Sequence, residues 1–424
     1  MDPVKILWVK ANKILPVHSG GDIRSYHLAR NLAAKHKLVF FSYYDGEHDD
    51  AYAQQLAEHF PGAVAVCTGR KKSRWWGHAL DYLANLPGGK PYAVSRFESS
   101  RVRAALKAQL AEGQFDVAIC DFLDAVVNLP PGTNTPCVLF QHNVECEIWR
   151  RHAETEANPL KRAVYGLEFR RMLAYEKATV ESFPHVIAVS EHDRKLMSEW
   201  VDAARITVMP TGVDLEQYGP VASAQNCDRP LVIFVGAMDW EPNIDGVEYF
   251  CRQIWPAVQT KLPTARFRIV GRNPDARVLS LASDTVEVTG RVPSVIEHLR
   301  EAIVVVVPLR IGGGTRLKIY EAMAAGRALV STSIGAEGLN VHHGLDIVLS
   351  DDPSNFADCI VSLVNEVEYR RRMERAAAKL VEQYGWPVIA EKFEEILEGV
   401  IRQPGQISRS LAGASQPVTL VNTD

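Results

Sequence analysis

Short β-rich apolar runs, each followed by a polar loop and a stretch with helical spacing, recur along this chain, and the series runs twice. The first series opens with "VKILWV" (4–9), a loop "KANKILPVHSGGD" and the helix-like "IRSYHLARNLAAKH", then returns to "KLVFFSYY". "AVAVCT" (63–68), "DVAICD" (116–121), "PCVLFQH" (136–142) and "HVIAVS" (185–190) continue it. Continuous short apolar runs suit strands buried on both faces, and helices between them are the crossovers that parallel pairing needs. The expected fold class is α/β, a doubly wound parallel sheet.

The series then breaks and restarts. "RITVMPTGVDLEQYGPVASAQNCDRP" (205–230) ends one strand in a Pro, Gly and polar stretch, after which come "LVIFVG" (231–236), "ARFRIVG" (265–271), "TVEVTG" (285–290), "AIVVVVP" (302–308) and "ALVST" (328–332). A helix is expected from about Asp245 to Val258. A length of 424 residues suits two domains of roughly 200 residues each. The reading is two Rossmann-like domains, 1–210 and 230–385, with a linker at 211–229. A last helix "WPVIAEKFEEILEGVIRQ" follows at 386–403, and 404–424 lacks periodicity and is expected to be a disordered tail.

Bulk properties exclude several classes. A net charge of -4 gives no reason to expect a nucleic-acid partner. Seven cysteines stand singly with no CxxC pair, as reduced thiols of a cytoplasmic protein would. Lys5, Lys10 and Lys13 interrupt the N-terminal apolar positions, so no signal-peptide core is read there, and "AIVVVVPL" is too short to span a bilayer. Neither GxGxxG nor GxxxxGK[ST] occurs, which argues against a dinucleotide oxidoreductase and a P-loop NTPase.

Ligands of a doubly wound sheet collect at the carboxyl ends of strands. Two glycine-containing loops are placed there. In "HSGGD" (18–22), Gly20 and Gly21 suit either a tight βα turn or close backbone approach to an anion at a helix start. In "RIGGGTRLKIYEAMAAG" (310–326), Gly312, Gly313 and Gly314 form a loop and Thr315 is a natural N-cap. Arg316 and Lys318 add cations that match a diphosphate, and Glu321 can accept two hydrogen bonds from a ribose diol. The plainer alternative is a solvated, charged helix face. A third stretch, "LFQHNVECEIW" (139–149), brings His142, Asn143 and Glu145 to a strand end, where His142 is either a base or donor, or a structural histidine. No DxD stands in a loop suited to Mg²⁺, so no metal site is expected.

"FVGAMDWEPNIDGVEYF", "GGGTRLKIYEAMAAGRALVSTSIGAEGL" and "QHNVE" together resemble the retaining glycosyltransferases of family 4, which have the GT-B fold. "VMPTGVD" (208–214) is similar to that family's approach to its interdomain linker, and the likeness runs to about residue 400. It implies two Rossmann-like domains facing across a cleft, the N-terminal one for the acceptor and the C-terminal one for a nucleotide-sugar donor. The family's ribose-binding Glu falls on Glu321, its N-terminal glycine loop on Gly20 and Gly21, and its acceptor-side histidine on His142. "GWPVIAEKFEEIL" looks like the helix that crosses back to the N-terminal domain. Two features depart. The first Glu of the family's Glu-x7-Glu is Gly313, and the Arg and Lys that follow the first strand of the C-terminal domain are missing from "GAMDWEPN". Arg316 and Lys318 are expected to replace those cations.

The implied activity is metal-independent, retaining transfer from a UDP- or GDP-sugar to a glycan, lipid-linked or small-molecule acceptor, with the nucleotide sugar as co-substrate and no cofactor. The alternatives are a nucleotide-sugar 2-epimerase of GT-B fold and a non-catalytic nucleotide-sugar-binding protein. In "GRKKSRWWGHALDYL" (69–83), basic residues beside Trp75 and Trp76 suit either peripheral contact with the inner face of a membrane or a solvated loop leading into a packed helix.

Overall fold

A computed structural model describes residues 3–17, 19–70, 82, 88–156, 158–219, 228–311 and 317–402. Most of the 69–83 segment and all of the 404–424 tail lie outside the described residues. The chain forms two compact units, one of residues up to Met209 together with those from Ala390 onward, the other Pro210–Ile389.

The first unit is built on a parallel sheet of seven strands: β1 (Lys5–Ala11), β2 (Lys37–Tyr44), β3 (Val64–Cys67), β4 (Val117–Asp121), β5 (Cys137–Phe140), β6 (His185–Ala188) and β7 (Ile206–Val208). Their spatial order is β3-β2-β1-β4-β5-β6-β7. The second unit has a parallel six-stranded sheet of β8 (Leu231–Val235), β9 (Arg266–Val270), β10 (Val286–Gly290), β11 (Val304–Val307), β12 (Ala328–Ser331) and β13 (Val348–Leu349), ordered β10-β9-β8-β11-β12-β13. Each sheet therefore reverses direction beside its first strand, between β1 and β4 and between β8 and β11. The helices that carry the site are α1 (Gly20–Lys35), α2 (Glu145–Thr155), α3 (Pro159–Ser182), α4 (Leu215–Tyr218), α5 (Glu241–Tyr249), α6 (Leu317–Ala324) and α7 (Trp386–Arg402).

Parallel strands covered on both faces explain the apolar runs. All four valines of β11 are at most 2% exposed, each contributing roughly 1.5–3 kcal/mol by its burial. In the first unit, Trp8 of β1 stacks on Phe40 and on Phe393 of α7, with centroids 6.3 and 5.8 Å apart. Glu394 of the same helix meets His36 at 3.3 Å and Lys35 at 3.1 Å.

Three local readings differ from the sequence expectation. Gly20 and Gly21 are the first residues of α1 rather than a loop before it, because Ser19 caps the helix by accepting Asp22 N–H at 3.1 Å. The helix expected from about Asp245 begins at Glu241, with Pro242 in its first turn, and continues through a π-helical segment, Phe250–Ile254, to Lys261. Residues 211–219 pack within the second unit; Thr211 and Val213 are each 1% exposed. Among the described residues, no helix is long and apolar enough to cross a membrane.

Candidate functional site

In the second unit, β8 and β11 are neighbours although β9 and β10 intervene in the chain, so the loops at their carboxyl ends lead apart. Lys318 projects from the first turn of α6 back to the end of β8. Its Nζ donates to Asn243 Oδ1 at 2.7 Å and lies 4.3 Å from the Phe234 ring centroid. Asn243, in the first turn of α5, is itself fixed by donating from Nδ2 to the Ala237 carbonyl at 2.8 Å. Gly236 makes this approach possible: a Cβ there would stand 2.9 Å from Lys318 Nζ and 2.7 Å from Asn243 Nδ2. A cation from the α6 helix thus occupies the strand end where "GAMDWEPN" supplies none.

Glu321 follows Lys318 by three residues, on the same helix face. It is partly buried, and burial raises its carboxyl above the ordinary range against the opposing influence of a Tyr218 hydrogen bond and the Lys318 charge. Beyond the end of β11, Arg310 is held by Asp245 at 3.1 Å and lies over the Tyr249 ring at 4.5 Å. Gly312, Gly313, Gly314, Thr315 and Arg316 lie outside the described residues.

In the first unit, Gly21 and His142 come together: a Cβ on Gly21 would lie 4.0 Å from His142 Cγ, while Gly20 faces open space. His142 is buried, its Nε2 2.6 Å from Asp121 Oδ1 and its Nδ1 2.9 Å from Arg24 Nη1. A guanidinium can only donate, so Nδ1 accepts and the proton sits on Nε2 towards the carboxylate. Burial lowers the imidazole's pKa despite Asp121, which favours the neutral ring. With both nitrogens engaged, the ring has no lone pair to offer as a base in this arrangement.

Asp121 anchors the cluster. It accepts Trp8 Nε1–H at 2.8 Å and lies 3.4 Å from Lys10 Nζ, which also reaches Asp22 at 3.6 Å and donates to Ser25 Oγ at 3.3 Å. Burial would raise its carboxyl, but Lys10 and His142 outweigh that and hold it well below the usual carboxylate range. Around His142, the loop is pinned by buried Glu176 of α3, which accepts Gln141 Nε2–H at 3.0 Å and the backbone N–H groups of Glu145 and Cys146 at 2.9 and 2.8 Å. The Asn143 side chain donates to Glu145 at 3.4 Å.

Sequence reasoning did not single out Lys10, Arg24, Asp121, Asn243 or Tyr218. For the first and third a signal existed: each is a charge at the carboxyl end of an apolar strand. The two are register partners across β1 and β4.

The profile described as "Glycosyltransferase Family 4" matches residues 18–217, and "Glycosyl transferases group 1" matches residues 229–366. A D-inositol 3-phosphate glycosyltransferase of Paenarthrobacter aurescens is 27% identical over 263 residues, covering 55% of this chain and 63% of that protein. A phosphatidyl-myo-inositol mannosyltransferase of Mycolicibacterium smegmatis is 25% identical over 223 residues, covering 50% and 57%. The chain thus spans less than two thirds of the length of these curated relatives. Among solved structures, Anabaena HepE in complex with UDP-glucose superposes with a TM-score of 0.64 at 14% identity, over 93% of this chain and 100% of that one. A sucrose-phosphate synthase of Thermosynechococcus elongatus gives 0.68 at 17% identity, over 94% and 99%. Two sheets with reversed strand order, the cation and carboxylate on α6, and matching profiles on both halves lead to one conclusion: the chain belongs to glycosyltransferase family 4 and has the GT-B fold.

Proposed function

We propose that this protein is a retaining glycosyltransferase that moves a sugar from a UDP- or GDP-sugar to a glycan, lipid-linked or small-molecule acceptor without a metal ion. The observation that carries the reading is Lys318, held by Asn243 at 2.7 Å beside Gly236, with Glu321 on the same helix face. A fixed ammonium at a strand end suits the charge that develops on a departing diphosphate, and Gly312, Gly313, Gly314, Thr315 and Arg316 are assigned to the same task. Glu321 takes the ribose hydroxyls. Gly20 and Gly21 are assigned to donor phosphate and sugar, and His142 to orienting sugar or acceptor. The absence of DxD from the sequence supports the metal-free reading. Relatives named for inositol phosphate and for phosphatidylinositol span both small and lipid acceptors, which supports either kind here.

Calorimetric titration with UDP, GDP, ADP and dTDP tests the donor site. One of these is expected to bind the parent protein, and both Glu321→Ala and an Arg316→Ala, Lys318→Ala double variant are expected to lose it. Binding by the variants as tight as the parent's, or no binding by the parent, overturns the assignment.

A further inference from the structure

The chain enters the second unit at Pro210 and leaves it at Ile389. Just inside those boundaries the entering and leaving segments are zipped together. Val213 N–H donates to the Tyr384 carbonyl at 2.8 Å, Trp386 N–H donates to the Val213 carbonyl at 3.3 Å, and Val213 and Gly385 form a parallel bridge. Glycines allow the fit. A Cβ on Gly212 would lie 2.3 Å from Trp386 Cε3, and one on Gly385 would lie 2.9 Å from Leu215 Cδ1.

Both segments then reach α6, at adjacent residues. On the leaving side, Tyr384 stacks on Tyr320 with ring centroids 4.4 Å apart and planes 18° from parallel. On the entering side, α4 is capped by Asp214 and packs on α6, and its last residue, Tyr218, hydrogen-bonds with Glu321. A glutamate side chain is flexible, and a phenol donor on its carboxylate restricts it while leaving lone pairs for a diol.

We propose that Tyr218 is a positioning residue for Glu321, and that through it the zipped entering and leaving segments set how tightly the second unit grips a nucleotide's ribose. This rests on the ribose reading of Glu321. Phenylalanine at 218 keeps the ring and removes only the donor. Burial then acts on Glu321 with one opposing influence fewer, and its carboxylate is neither held nor kept charged as firmly.

The experiment compares UDP and GDP with their 2′,3′-dideoxy forms by calorimetry on the full chain. Whichever ribonucleotide binds, the parent is expected to prefer it to its dideoxy form, and Glu321→Gln to lose that preference. Tyr218→Phe is expected to cut the preference several-fold, up to roughly tenfold, while leaving dideoxy binding as in the parent. An unchanged preference in Tyr218→Phe, or equal weakening of both nucleotides, overturns the positioning role and leaves the ribose reading standing. A parent that does not distinguish the two forms overturns the ribose reading of Glu321, and the inference falls with it.

Discussion

His142 is the residue whose chemistry depends most on its neighbours. Two charged groups of opposite sign hold its two nitrogens, so the neutral ring is the form that fits the cluster. A second proton would place an N–H on Nδ1 facing the Arg24 N–H. Burial depresses the folded pKa below the unfolded value of 6.5, so the stability this ring contributes is present above pH 6.5 and is lost as pH falls through its folded pKa. Thermal melts of the parent and His142→Gln across pH 5–8 should show this: the parent's advantage over the variant shrinks on acidification, and an advantage independent of pH contradicts it. Asp121→Asn should be costly for another reason. It removes the main counter-charge of buried Lys10, a loss of about 3–5 kcal/mol readable from urea denaturation.

At the scale of the element, the second unit's first crossover is governed by two glycines. A Cβ on Gly271 would stand 1.7 Å from the Gly236 carbonyl oxygen, so the loops after β8 and β9 meet backbone to backbone. Gly271→Ala is expected to destabilise the fold by several kcal/mol, since a backbone atom cannot give way as a side chain can. The nearest atoms a Cβ on Gly236 would meet are side-chain ones, Lys318 Nζ and the Asn243 amide. Gly236→Ala is expected to lower the melting temperature less than Gly271→Ala does and to weaken nucleotide binding at least several-fold; unaltered binding would remove Lys318 from the proposed donor site. Elements such as β8 and β11 were legible in sequence because unbroken apolar runs rich in β-branched residues have few other uses. β13, two residues long, is too short to show any period. The start of α5 lies before the expected Asp245 because Pro242 fits the first helical turn, where its missing N–H is not needed. That Lys318 and Glu321 share one helix was legible in the sequence, whereas the Lys10 and Asp121 pairing depends on β1 lying beside β4, which strand order decides and local pattern does not. Asn243 and Tyr218 escaped for the same reason: each meets its partner only after the chain has folded back on itself.

At the scale of the whole molecule, α7 belongs to both units, its first residues to the second and those from Ala390 to the first. Phe393 is fully buried against Trp8 and Phe140, with centroids 5.8 and 5.4 Å away. Phe393→Ala should cost the first unit about 3–5 kcal/mol, seen as a lowered unfolding midpoint while nucleotide affinity at the second unit holds. Loss of nucleotide binding with no change in stability would contradict that division of labour. The shared helix also has a consequence in time. Synthesis runs from the N-terminal side, so the first sheet is translated long before the residues that cover Trp8. The unit that is begun first is completed last, and until then the nascent chain carries an uncovered aromatic surface. A chain released before Ala390 would carry the second unit's whole sequence and a first unit still waiting for its final wall.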